Sequence, residues 1–147
     1  MIITMTPTLT QYLTWMLYLG ALIHFSILTA SALVPKALRW RETLAPLPLL
    51  LRQMFWVYGI FIVLTIIGFG TLTACFATDM ARGEPLGRGL AGFISLFWTA
   101  RLIVQWFVFD SRPWLTRPLY RAGDKMLTVA FLSLVAIYGV AALLPRH

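Results

Sequence analysis

Four long apolar stretches, separated by short polar loops, constrain this chain of 147 residues more than any other feature. They cover about residues 9–34, 54–76, 89–109 and 126–144. A helix needs roughly 20 apolar residues to cross a bilayer. All eight prolines lie outside the stretches, so the backbone hydrogen bonds of each predicted helix run without interruption. The sequence therefore predicts an all-α integral membrane protein, a single domain over residues 1–147 that forms a four-transmembrane-helix bundle.

Composition excludes the other broad classes of protein. Hydrophobic residues make up 60% of the chain and charged residues 12%, whereas a soluble domain is about half apolar and about a quarter charged. Disordered chains are poor in aromatic residues, and here aromatic residues reach 14%. The single cysteine, Cys75, excludes an intrachain disulfide and a CxxC redox pair.

Basic residues are distributed unevenly among the loops. The first and third loops carry four Lys or Arg residues each, whereas the second loop carries two, and Arg146 adds one more to that side. Because cytoplasmic loops are enriched in Lys and Arg, the sequence predicts that the first and third loops are cytoplasmic and that both termini are non-cytoplasmic. This pattern favours a bacterial inner membrane. Four tryptophans are expected at the cytoplasmic interface, namely Trp40, Trp56, Trp106 and Trp114.

The first loop combines cations with an indole, a pattern typical of segments that lie among lipid headgroups. The residues expected there are Lys36, Arg39, Trp40 and Arg41. We attribute the net charge of +7 to contact with the bilayer. No nucleic-acid partner is expected, because the chain contains no soluble binding module.

Few ionisable side chains lie within the apolar stretches. An ionised group there costs roughly 2.5–3.5 kcal/mol on insertion scales and normally faces the protein interior. His24 precedes Val34 by ten residues and Arg101 precedes Asp110 by nine, which places both roughly 13–15 Å from the cytoplasmic end. The same count through the other two stretches reaches two hydroxyl side chains, and Gln105 follows Arg101 on the same helix face. The predicted polar intramembrane site comprises His24, Thr65, Arg101, Gln105 and Ser133.

No catalytic signature accompanies these residues. The sequence has no G-x-S-x-G motif, phosphate-binding loop, H-E-x-x-H motif or dinucleotide fingerprint. The chain contains two histidines, too few for a histidine-rich metal centre, and no metal site is predicted. Bis-histidine haem ligation needs two intramembrane histidines, so one chain cannot supply it. An enzymatic role is therefore not favoured.

Three functions remain open. The favoured one is a small accessory or assembly subunit of a larger membrane complex, or a homo-oligomer, with the bilayer and other membrane subunits or its own copies as partners. Patches of small residues permit close helix contact at Gly68–Gly70–Ala74, Gly87–Ala91 and Ala136–Gly139. The second is a redox or pigment subunit in which His24 binds a haem or a chlorophyll-type pigment. The third is a small oligomeric transporter or channel that uses Arg101 and Gln105.

Overall fold

The computed structural model describes residues 7–110, 112–113 and 115–144, and all the regular structure in these ranges is helical. Four of its helices are long and apolar enough to cross a membrane, which confirms the all-α architecture with four candidate spans. Trp114 and Arg146, two residues used in the orientation argument, lie outside the described residues. The helices in chain order are α1 (Pro7–Ala37), α2 (Trp40–Leu44), α3 (Leu49–Arg82), α4 (Pro85–Phe107) and α5 (Pro118–Leu143).

The long helices do not begin and end where the apolar stretches do. α3 begins at Leu49 rather than at residue 54, and α5 begins at Pro118 rather than at residue 126. Apolar content marks the part of a helix that lies within lipid, and the helix continues into polar residues beyond it. Pro85 and Pro118 stand in the first turn of their helices, where the missing N–H has no helical partner to lose. Pro35 lies in the last turn of α1.

Each long helix packs against two others. α1 packs mainly on α3 and also on α5, and α4 packs mainly on α5 and also on α3. α1 and α4 consequently lie across from each other, as do α3 and α5. The connection between α3 and α4 is only Gly83–Glu84. Gly83 adopts a left-handed conformation with φ of 81°, which a glycine accepts without the steric cost of a Cβ.

Contacts between helix ends show that α4 and α5 run antiparallel. Arg88, near the start of α4, donates to the carbonyl of Ala142, near the end of α5, at 3.0 Å. Gln105, near the end of α4, donates to Asp124, near the start of α5, at 3.2 Å. The short connection places the end of α3 beside the start of α4. The connection 38–48, which contains α2, and the described residues of the connection 108–117 therefore lie at one end of the molecule, which we call the basic end.

Small residues allow close approach at specific points. A Cβ at Gly87 would lie 2.9 Å from the Met80 Cα, and Ala91, one turn later, is fully buried. The predicted patch at Gly87–Ala91 is therefore a contact between α3 and α4. In the patch at Gly68–Gly70–Ala74, the two glycines have different surroundings. A Cβ at Gly70 would lie 3.2 Å from a side-chain atom of α1, whereas nothing lies within 4 Å of a Cβ at Gly68.

We expect Gly87→Ala to lower the unfolding temperature of the purified protein in detergent, because its Cβ would meet a backbone atom of Met80 that cannot rotate away. Overpacking of this kind costs about 1–3 kcal/mol. Gly89→Ala is the matched control, since nothing lies within 4 Å of a Cβ there, and little change is expected. Equal unfolding temperatures for the two variants would contradict the described α3–α4 contact.

Candidate functional site

His24 lies in α1 and is fully buried in the middle of the four helices. Its Nδ1 is 2.8 Å from the carbonyl oxygen of Gly20, and its Nε2 is 3.0 Å from the indole Nε1 of Trp98. An indole N–H can only donate, so Nε2 accepts. Nδ1 then carries the ring proton and donates to the Gly20 carbonyl. Both ring nitrogens of His24 are occupied by hydrogen bonds within the protein.

Aromatic rings from the other three long helices surround the imidazole. Phe69 of α3, Trp98 of α4 and Tyr138 of α5 meet it edge to face, with ring centroids 6.0, 5.5 and 5.6 Å away. Edge-to-face geometry is favourable for such rings. Every long helix thus contributes a side chain to one buried group. We call this group the core cluster, and it comprises His24, Phe69, Thr73, Trp98 and Tyr138.

A second hydrogen bond closes the core cluster. The Thr73 Oγ1 and the Tyr138 hydroxyl are 2.8 Å apart, and both side chains are fully buried. This bond joins α3 to α5, which otherwise touch little. Gly20 makes room for the ring, because a Cβ at that position would lie 3.1 Å from the Tyr138 hydroxyl. Among the described residues, no buried side-chain N or O atom of the core cluster lacks a partner.

This geometry does not fit an axial ligand to a haem or a chlorophyll-type pigment. Such a ligand presents one imidazole nitrogen to the metal and uses the other for a supporting hydrogen bond. In this protein Nε2 of His24 is taken by Trp98, and Nδ1 by Gly20. Rings of three helices fill the space around the imidazole, where a planar macrocycle would have to lie.

The other residues of the predicted polar site have different partners. Thr65 donates to the carbonyl of Phe61 and Ser133 to that of Val129, each at 2.8 Å and within its own helix. The described hydrogen bonds therefore do not join either hydroxyl to His24. The residues that do contact His24 lie about one helical turn further from the basic end. Counting along separate helices ignores their tilt and stagger, which decide the residues that face each other.

Arg101 and Gln105 lie along the contact between α4 and α5. The Gln105 Nε2 donates to the Thr128 hydroxyl at 2.9 Å and to the Asp124 carboxylate at 3.2 Å. The Arg101 guanidinium lies 5.4 Å from the ring centroid of Phe131, also on α5. Both side chains thus point toward α5, the fourth membrane helix, as expected for groups that face the protein interior. The structure brings Arg101 and Gln105 to the same seam, but does not join them to His24.

The site predicted from the sequence does not include Thr73, Tyr138 or Trp98. The signal for the first two was present, because both are hydroxyl side chains within apolar stretches. A tyrosine hydroxyl buried in a bilayer needs a hydrogen-bond partner. Pairing the hydroxyl side chains of different apolar stretches would therefore identify both Thr73 and Tyr138 as candidates. Nothing in the sequence identifies Trp98 as the partner of His24.

Comparisons with known proteins do not add a family to this description. No model of a known protein family, no curated protein and no solved structure matches the chain. Within the described residues, no group of three or more His, Cys, Asp or Glu side chains is arranged to hold a metal ion. The geometry of the core cluster and of the α4–α5 seam is therefore the basis for any functional conclusion.

We expect His24→Leu and Trp98→Phe to be energetically coupled, since each removes one end of the same hydrogen bond. A double-mutant cycle measured by unfolding in detergent should give a coupling of about 0.5–2 kcal/mol. The cycle of His24→Leu with Arg101→Leu is the control, and its effects should add within about 0.5 kcal/mol. Additive effects in the first cycle would contradict the His24–Trp98 bond.

Proposed function

We propose that this chain is a non-enzymatic, multi-pass membrane protein that serves as a structural subunit, associating with another membrane protein or with its own copies. The observation that carries the proposal is the closed hydrogen bonding of the core cluster. His24 bonds to Trp98, and Thr73 bonds to Tyr138. These polar groups bond to one another and stabilise the arrangement of the helices, and each side-chain N and O atom of the core cluster has a partner inside the protein.

The filled core also makes the transporter or channel hypothesis the weaker one. A pathway between the helices needs polar groups that face an open space. At the level of His24, the side chains of Trp98, Thr73 and Tyr138 are all at most 1% exposed, so side chains occupy the middle. Arg101 and Gln105 are directed to the α4–α5 seam instead. A structural role therefore accounts for more of the geometry.

The proposed orientation in a bacterial inner membrane has the basic end in the cytoplasm and both termini on the other side. The antiparallel helices bring the two basic loops to one end of the molecule. Because cytoplasmic loops are enriched in Lys and Arg, this arrangement supports a cytoplasmic position for that end. We further propose that Lys36, Arg39 and Arg41 contact lipid headgroups. All three are exposed. The Trp40 ring meets the Phe55 ring of α3 edge to face, with the ring centroids 4.9 Å apart. This contact holds the first loop near the start of α3.

For association with a partner, the outer face of α3 has suitable chemistry. Gly68, Thr71 and Cys75 follow one another at helical spacing, and membrane helices pack closely where such small residues line up. Thr71 and Cys75 are exposed, and nothing lies within 4 Å of a Cβ at Gly68. We call this the outer α3 face. Gly59 provides a comparison. It precedes Gly68 by nine residues, which turn a helix through about 180° beyond whole turns, so Gly59 lies on the opposite side of α3.

We expect Gly68→Leu to reduce the mass of the particle extracted from membranes in mild detergent, because the larger side chain would separate the helices at the outer α3 face. Gly59→Leu is the matched control on the opposite side of α3, where a Cβ likewise has nothing within 4 Å. Light scattering measures the mass. A wild-type particle that contains one chain and nothing else would contradict the proposed function.

Oxidative crosslinking then identifies the partner. Cys75 is the only cysteine of the chain, and it is exposed on the outer α3 face. If the partner is a second copy, we expect copper phenanthroline to yield a disulfide-linked dimer in native membranes. Gly68→Leu should reduce its yield, whereas Gly59→Leu should not. A larger wild-type particle without this dimer would indicate a different membrane protein as the partner.

The orientation has its own test in cells. In a Cys75→Ser background, we expect a membrane-impermeant maleimide to label Glu84→Cys from the non-cytoplasmic side and to leave Arg117→Cys unlabelled. Both positions are exposed, so accessibility differs only by the side of the membrane. Labelling of Arg117→Cys alone in intact cells would reverse the orientation.

A further inference from the structure

The basic residues of the first loop converge on the side chain of Trp40. The Trp40 ring meets the rings of Phe55 and Trp56 edge to face, with centroids 4.9 and 5.8 Å away. Arg52 precedes these two residues by three and four positions on α3, and side chains at those spacings share one face of a helix. Arg52 is therefore on the α3 face that Trp40 covers, and it is half-buried whereas the residues on either side of it are exposed.

A tight turn brings the other cations to Trp40. Arg39 separates α1 from α2 and has a left-handed conformation with φ of 50°, which few residues other than glycine adopt. Such a conformation persists where surrounding contacts fix it, and the packing of Trp40 on α3 supplies these contacts. Arg39 and Arg41 flank Trp40 directly in the sequence, and Lys36 precedes it by four residues. The fold thus gathers basic side chains from the end of α1, from α2 and from the start of α3.

Three of these four cations have no anionic partner in the protein. Glu42 is the only acidic residue of the sequence before position 79, and it pairs with Arg39 at 3.5 Å. Within the part of the chain that the structure describes, no other ion pair occurs. Lys36, Arg41 and Arg52 therefore carry positive charges without a counter-charge. We call these three residues around Trp40 the cation cluster.

An apolar surface begins beside the cation cluster. The side chains of α3 at positions 54–58 and 60–64 are large, hydrophobic and exposed, and the first buried residue of this helix is Ile66. The surface starts within one turn of Arg52 and continues along the helix into the membrane. A molecule that carries both a negative charge and acyl chains would use the cations and this surface together, whereas a soluble anion would use only the cations.

We propose that the cation cluster selects an anionic phospholipid, such as phosphatidylglycerol, from the cytoplasmic leaflet. This inference rests on the proposed headgroup contact of the first loop and names the class of lipid that makes it. Arg41 and Arg52 donate charge-assisted hydrogen bonds to the phosphodiester, and the acyl chains lie along the exposed side chains at positions 54–64. A zwitterionic headgroup would bring an ammonium group toward three unpaired cations and a carboxylate that Arg39 already engages. Electrostatics therefore favour a lipid with a net negative charge.

Native mass spectrometry of the full-length protein, after delipidation in detergent, tests the selection. Phosphatidylglycerol, phosphatidylcholine and phosphatidylethanolamine with identical acyl chains are added separately. A cation beside an anionic lipid contributes a factor of about five in affinity, so we expect phosphatidylglycerol to bind at least about tenfold more tightly than the other two. Equal binding of phosphatidylcholine, or tighter binding of phosphatidylethanolamine, would overturn the proposal. Either result leaves the particle mass in mild detergent, which tests the structural role, unaffected.

Variants locate the contact. Arg41→Gln and Arg52→Gln should each weaken binding of phosphatidylglycerol about fivefold and leave binding of phosphatidylcholine unchanged. Arg41 is exposed, so its variant keeps the test available if Arg52→Gln does not fold. Arg82→Gln, at an exposed position at the other end of α3, is the matched control and should change neither affinity. A loss in Arg82→Gln as large as in Arg41→Gln would overturn the location.

Soluble competitors distinguish a lipid from other anions. Glycerol phosphate carries the phosphate without acyl chains, and polyglutamate represents an acidic protein segment. We expect both to displace phosphatidylglycerol only at concentrations far above that of the lipid, because the apolar surface at positions 54–64 contributes to binding through the acyl chains. Displacement by either competitor at equal concentrations would assign the cation cluster to a soluble phosphate or to an acidic protein, and would overturn the assignment to a lipid.

Discussion

The hydrogen bond from the Trp98 indole to His24 governs how the four long helices can be arranged, because a bilayer offers no water to satisfy either group. It joins α1 to α4, two helices that lie across from each other and have few other contacts. The Thr73–Tyr138 bond joins the other opposite pair, α3 and α5. Two crossing hydrogen bonds thus connect the pairs of helices that backbone packing leaves apart. Neighbouring helices are held by apolar contacts, by glycines at close approaches and, between α4 and α5, by further hydrogen bonds.

Room for these bonds comes from residues without side chains. Gly20 lies against the Tyr138 hydroxyl, and Gly70 lies against the Cβ of His24. A methyl group at either position would be closer than 3.3 Å to its neighbour, so the polar side chains and the glycines depend on one another. This explains why a region rich in bulky aromatic rings also contains small residues. The rings fill the middle of the molecule, and the glycines allow the helices to meet around them.

Polar groups have different hydrogen-bonding environments in the core cluster and toward the basic end. In the core cluster every side-chain N and O atom has a hydrogen-bond partner inside the protein, as the proposed structural role requires. Toward the basic end, in contrast, the buried Nη1 of Arg101 has no hydrogen-bond partner among the described residues. The core cluster and the proposed headgroup contact of Lys36, Arg39 and Arg41 use separate residues.

Hydropathy alone predicted the all-α class and the number of long helices, since about 20 consecutive apolar residues have few other stable conformations in a membrane. It did not predict where the helices begin, because a helix extends past the apolar layer at no hydrophobic cost, as α3 does at Leu49. The cost of burying an ionisable or polar group indicated that His24, Arg101 and Gln105 face other helices. Their partners could not be derived this way. The identity of Trp98, Thr73 and Tyr138 as core residues depends on how the helices are tilted and staggered, and that is a property of packing among all four helices rather than of any one stretch of sequence.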